Sequence, residues 1–361
     1  MRTLTLALYL LFIPTLVRAD TPKPAYPPPT EVKAAFLKLL DRPKVPLDAK
    51  VVDTKTEDGL VVEHLTFATQ KKADGEMERV PALLVRPAKA DGKLPVVLAL
   101  HGTGGNKDSQ KGLLVELAKQ GIIGIAIDAR YHGDRSGGAK GASAYVDAIT
   151  RAWHTKDGEP MEHPFYYDTC WDIWRTADYL ETRPEVDASR IGIIGFSMGG
   201  IETWLAASVD DRYKVAVPAI GVQSFRWSLE NDKWQGRAKT IRGAHDAAAK
   251  DIGEAEVNAK VCRVLWSKVI PGILDQFDCP SMIRLFANRP LLILNGDEDP
   301  NCPIDGAKLA FQSAEETYKG AEAYKGADER LKIMVAKGVG HQVTAEQHKA
   351  AVEWFRKWLA K

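Results

Sequence analysis

The sequence predicts an α/β fold: a mostly parallel central sheet with helices on both faces and a helical cap insertion. Three observations carry this prediction. Short continuous apolar runs such as Pro95–Leu100 (PVVLAL), Ile122–Asp128 (IIGIAID) and Ile191–Gly195 (IGIIG) read as strands buried on both faces. Segments of helical periodicity alternate with them, which places successive strands side by side through right-handed crossovers. About 70 residues separate Ile220 from Leu291 and hold several helical stretches, too many for a structureless loop, so the span of about 221–289 reads as a cap.

Taken in order, the chain opens with Arg2, an apolar run of 14 residues from Leu4 to Val17, and small residues at Val17 and Ala19. This pattern is that of a signal peptide, residues 1–19, removed on export to a secreted or periplasmic location. The run is shorter than the roughly 20 residues a membrane span needs. A proline-rich arm (Thr21–Pro29) and a short helix fill residues 20–50, and residues 51–361 form one domain. Val51–Glu57 and Leu60–Thr69 read as a hairpin turning at Asp58-Gly59, and Pro81–Arg86 as a further strand. After Pro95–Leu100 come a helix over Lys111–Gln120, the strand Ile122–Asp128 and a helix over Tyr166–Arg183. The strand Ile191–Gly195 then leads into a helix from Met198 to about Ser208. Strands at Val215–Ile220, Leu291–Leu294 and Leu331–Val335, with helices at Ile304–Tyr318 and Thr344–Ala360, complete the set.

Composition narrows the function. In 361 residues, 49 Lys and Arg balance 48 Asp and Glu, so the basic excess needed to hold a phosphate backbone is missing and nucleic acid is excluded as a partner. Four cysteines, Cys170, Cys262, Cys279 and Cys302, form no CxxC pair. No metal site is indicated, and the three possible disulfide connectivities stand beside the option of buried free thiols.

The chemistry gathers in loops that follow strands, where ligands of such sheets bind. Gly195-Phe-Ser-Met-Gly199 lies between an apolar strand and a helix. A GxSxG sequence there is a nucleophile elbow, a turn so tight that glycines must flank the serine, and it lifts Ser197 above the sheet. A serine hydroxyl needs a base. His341 follows the last strand in Ala-Lys-Gly-Val-Gly-His, and an acidic loop, Asn295-Gly-Asp-Glu-Asp-Pro300, follows the strand before it. Asp297, Glu298 and Asp299 compete as the acid that orients the histidine; Asp299 is preferred because the following proline restricts its backbone, whereas Asp297 suits the turn itself. An oxyanion needs backbone donors: the N–H of Met198, and that of Thr103 in His101-Gly-Thr-Gly-Gly105, with Gly102 and Gly104 as neighbouring alternatives. His101 reads as a support of that loop.

The order HGTGG, GFSMG, GDEDP, GVGH resembles the α/β-hydrolase superfamily, most closely its dienelactone hydrolase, acetyl xylan esterase and prolyl oligopeptidase-type branch. The resemblance spans about Pro81 to Lys361. It implies a triad of Ser197, Asp299 and His341, no cofactor, and a structural role for the loop Asp128-Ala-Arg-Tyr-His-Gly133, which keeps Arg130 and His132 out of the chemistry. The reading is a secreted serine hydrolase cleaving carboxylic esters, acting on a small-molecule or glycan-linked ester. A prolyl oligopeptidase-like peptidase without its propeller, or a non-catalytic binding protein on the same fold, are the alternatives. Trp153, Trp227, Trp234 and Trp266 fall in the two excursions, either lining an acyl pocket or a sugar platform, or packing the cap.

Overall fold

The computed structural model describes residues 26–72, 74–320 and 327–359; the expected signal peptide and most of the proline-rich arm lie outside them. Among the described residues nine strands form one sheet: β1 (Lys50–Glu57), β2 (Leu60–Lys71), β3 (Met77–Pro87), β4 (Leu94–Leu100), β5 (Ile123–Ile127), β6 (Val186–Phe196), β7 (Tyr213–Ala219), β8 (Leu291–Gly296) and β9 (Leu331–Ala336). Their spatial order is β1-β2-β3-β5-β4-β6-β7-β8-β9. The β1–β2, β2–β3 and β3–β5 pairs are antiparallel, and every pair from β5 to β9 is parallel. The first turn has Asp58 at φ 51° and Gly59 at φ 74°, the left-handed pair that a two-residue hairpin requires.

The helices are α1 (Pro29–Leu39), α2 (Lys111–Lys119), α3 (Ser143–His154), α4 (Tyr167–Thr182), α5 (Met198–Val209), α6 (Phe225–Glu230), α7 (Gln235–Thr240), α8 (Arg242–Asp251), α9 (Ala259–Val269), α10 (Cys279–Ile283), α11 (Ile304–Gly320), α12 (Ala327–Arg330) and α13 (Ala345–Leu359). On one face of the sheet α2 and α13 bury Leu113, Leu114, Leu117, Val352, Phe355 and Leu359. On the other, α1, α4, α5 and α11 contribute Phe36, Ile173, Trp204, Ala310 and Tyr318 to a larger core. None of the twelve residues of α5 is exposed, as expected of a helix that is apolar on all sides. Most strands run one to four residues beyond the apolar stretches that predict them. The largest differences are β6, which begins at Val186, before its apolar run, and β3, whose eleven residues pair with β2 as far as Met77, so that its length is set by its partner and not by its own hydrophobicity. All four cysteines are free and buried. Among the described residues no helix is long and apolar enough to cross a membrane.

A buried ionic knot holds the loop after β5. Asp172 of α4 accepts hydrogen bonds from Arg130 Nε at 2.7 Å and Thr69 Oγ1 at 2.7 Å, and pairs with Arg135 at 2.9 Å. Burial opposes its ionisation, but the two guanidiniums outweigh burial and hold the carboxyl well below the usual range. In the interval between β7 and β8, His245 Nδ1–H donates to Ile241 O at 3.2 Å while Nε2 accepts from Trp266 Nε1 at 3.0 Å. That arrangement requires a neutral ring, and burial pushes the pKa down to about 4.

Removing the charge of Asp172 leaves two guanidiniums under-compensated, so Asp172→Asn is expected to cost roughly 3–5 kcal/mol of stability in denaturant titrations. His245 has its pKa depressed in the folded state, so its contribution is full above the unfolded value of 6.5 and lost as pH falls toward 4. The stability advantage of wild type over His245→Gln should therefore shrink by on the order of 1–2 kcal/mol between pH 7 and pH 5, read from denaturation midpoints at each pH.

Candidate active site

Ser197 sits between β6 and α5 with φ 56° and ψ −109°, a conformation a side-chain-bearing residue adopts only under constraint. The constraint is main-chain crowding. A Cβ on Gly195 would lie 2.0 Å from Gly199 O, and one on Gly199 would lie 2.6 Å from Leu100 O. The turn is pinned further by Ser197 N–H donating to Ala219 O at 3.0 Å and Gly199 N–H to His101 O at 3.2 Å.

The loops after β8 and β9 cross in the same way. A Cβ on Gly296 would meet Val339 O at 2.1 Å. Gln347 of α13 donates from Nε2 to Asn295 O at 2.9 Å and Met334 O at 3.0 Å, tying the ends of both strands together. This side chain was not singled out by the sequence reading, although Thr344 and Gln347 bond each other's main-chain N–H, and a Thr-x-x-Gln capping box is a readable signal. Of the three competing acids, the structure brings Asp299 to His341. Asp297 instead accepts the N–H of Gly338 at 2.6 Å, serving the turn. Asp299 Oδ1 accepts the N–H groups of Asn301 at 2.8 Å and Cys302 at 3.1 Å, and Oδ2 accepts His341 Nδ1–H at 2.7 Å. His341 Nε2 lies 2.7 Å from Ser197 Oγ. The acid's side chain is fully buried, while that of the histidine is 24% exposed. The proton therefore sits on Nδ1, facing the carboxylate, and Nε2 is left as acceptor for the hydroxyl.

The loop after β4 lies against this line: a Cβ on Gly102 would be 3.4 Å from Ser197 Cβ. Among the described residues neither Thr103 N–H nor Met198 N–H has an acceptor. His101 holds the loop, donating from Nδ1 to Gly102 O at 2.8 Å and accepting Ala129 N–H at Nε2 at 3.1 Å; burial pushes its pKa down to about 4, so it stays neutral. Arg130 is engaged with Asp172, and His132 donates from Nδ1 to Arg130 O at 2.8 Å. Asp299, Cys302 and His341 offer donor atoms within 4.8 Å of one another. That set suits a cation poorly, because burial pushes the Cys302 thiol up to about 12 and its Sγ already donates to Ile220 O at 3.0 Å.

The tryptophans divide. Trp266 is fully buried against Phe225, and Trp153 is bonded through its indole N–H to Asp251. Trp234 donates to Asp232, whereas Trp227 helps wall a depression of about 540 Å³ along the outer side of the Asp297–Asp305 loop, with Gln235 and Lys239.

Comparison with known proteins agrees with this architecture. The chain is 28% identical over 295 residues to YtaP of Bacillus subtilis (strain 168), covering 78% of this chain and 84% of that one. Its fold is similar to the acetyl xylan esterase from Paenibacillus sp. R4, with a TM-score of 0.63 at 20% identity over 93% of this chain and 97% of the other. It is also similar to the glucuronoyl esterase from Solibacter usitatus, with a TM-score of 0.60 at 16% identity over 91% of each. The acetyl xylan esterase (AXE1) family model matches residues 37–225, more than half of the sequence. The chain thus belongs to the acetyl xylan esterase family, on an α/β-hydrolase fold, and is a carboxylic ester hydrolase.

Proposed function

We propose that Ser197, His341 and Asp299 are the catalytic triad of a secreted serine esterase that works through an acyl-enzyme. The observation that carries the reading is the unbroken line of two 2.7 Å contacts, Asp299 Oδ2 to His341 Nδ1 and His341 Nε2 to Ser197 Oγ. As Ser197 Oγ attacks the ester carbonyl, His341 Nε2 takes its proton, and Asp299 stabilises the imidazolium that forms. The tetrahedral oxyanion turns toward the open N–H groups of Met198 and Thr103, at the positive end of α5. His341 returns the proton to the departing alcohol, then activates the water that releases the acid and frees Ser197. The segment of about 221–289 serves as the cap; its α7 lies against the acid loop, where a Cβ on Gly236 would come within 2.0 Å of Pro300 O. Family membership directs the substrate to a short acyl ester, acetyl first, carried by a carbohydrate, and the leader in residues 1–19 directs the enzyme to an extracytoplasmic location.

A fluorophosphonate probe should label the peptide containing Ser197, and Ser197→Ala should abolish the label while the protein stays folded. Absence of label on folded wild type would refute the triad. Asp299→Asn is expected to lower kcat about 10³- to 10⁴-fold with little change in KM, measured on a chromogenic acetate ester, because the histidine then loses its required tautomer. A panel of acyl chain lengths should favour acetate; preference for long chains would remove the family-based substrate assignment.

A further inference from the structure

We propose that Arg237, a buried side chain of α7, is a positioning residue for the acid: it clamps the turn that presents Asp299 to His341. The proposal rests on the triad reading above. Arg237 is 1% exposed, and its Nη2 donates to Asn301 O at 3.1 Å and lies 3.4 Å from Cys302 Sγ. Those are the two residues whose N–H groups hold Asp299 Oδ1. On its other side the same turn is tied to the strand end beside the elbow, through Cys302 Sγ donating to Ile220 O at 3.0 Å. The turn is thus gripped between the sheet and one guanidinium.

Arg130 and Arg175 are buried too, but each pairs with a carboxylate, Asp172 and Asp178. Arg237 has no ion pair among the described residues, and its Nε and Nη1 have no hydrogen-bond acceptor. The groups that face it are the hydroxyls of Tyr145 and Tyr166, the Cys302 thiol, the ring of Phe225 and Asp299. Burial raises the pKa of both phenols and pushes the thiol up to about 12, so these stay neutral. Glu202, behind the tyrosines, is likewise pushed well above its usual range by burial. The guanidinium is therefore spent on the main chain and thiol of the Asp299 turn, through Asn301 O and Cys302 Sγ. An unpaired buried cation is costly, and its retention in α7 is in keeping with a role at that turn.

The test measures kcat and KM separately for p-nitrophenyl acetate hydrolysis by the full chain, wild type beside Arg237→Gln and Arg237→Lys. Glutamine keeps a donor without charge; lysine keeps the charge without the planar reach. Neither reproduces the reach of the guanidinium to Asn301 O and Cys302 Sγ. In both, kcat should fall on the order of tenfold with KM changed less than about twofold. A folded Arg237→Gln with unchanged kcat, or a loss confined to KM, would overturn the proposal, the second making Arg237 a substrate contact. Should circular dichroism show Arg237→Gln unfolded, Arg237→Lys carries the same test, and an unchanged kcat there would by itself overturn the clamp. Labelling of wild-type Ser197 stands apart from these variants, so failure of the triad and failure of this proposal are told apart.

Discussion

Main chains pass one another at the carboxyl edge of the sheet too closely to admit a side chain between them, and the site depends on that closeness. Gly195 meets Gly199, Gly296 meets Val339, and Gly236 meets Pro300, each with about 2.0 Å between a hypothetical Cβ and a carbonyl oxygen. Backbone has no rotamers. A geometry built from such crossings positions Ser197, the acid loop and the histidine loop through main chain before any side chain is chosen. The side chains then need only the short reach of a serine, an aspartate and an imidazole.

Around this frame the charges are sorted by burial. Asp172 keeps its charge because two guanidiniums face it, and it steadies the loop that also carries Ala129, whose N–H is bonded by His101. His101 and His132 stay neutral because burial strips them of water, so they act as fixed hydrogen-bonding struts and not as competing bases. Of the eight histidines in the chain, His341 alone combines a buried carboxylate on one nitrogen with a serine on the other.

What could be read from the sequence follows from the range of the forces involved. Strand-and-helix alternation, the Asp58-Gly59 turn and the GxSxG elbow are local, written in periodicity and in glycines, and the structure has each of them where the residues put them. The preference for Asp299 over Asp297 also came from a local cause, the proline after it. Strand ends did not: β3 reaches Met77 because β2 continues beside it, and β6 begins at Val186, before its apolar run. The state of the cysteines was open because each thiol is buried by elements distant in the chain. Arg237 was invisible for the same reason. It is one arginine in a six-residue helix, and its acceptor at Asn301 lies 64 residues away.

Helix α5 carries a consequence for how the molecule comes apart. Its twelve residues are all hidden from solvent, and the serine is its N-cap. A segment enclosed on every side cannot open by fraying; its amide hydrogens exchange only when the surrounding layers separate. Ser197 is therefore mounted on a segment whose release requires those layers to part, and partial melting elsewhere, in β1 with its wholly exposed strand, leaves it in place. Hydrolytic competence and the integrity of the whole domain are in this architecture one cooperative property.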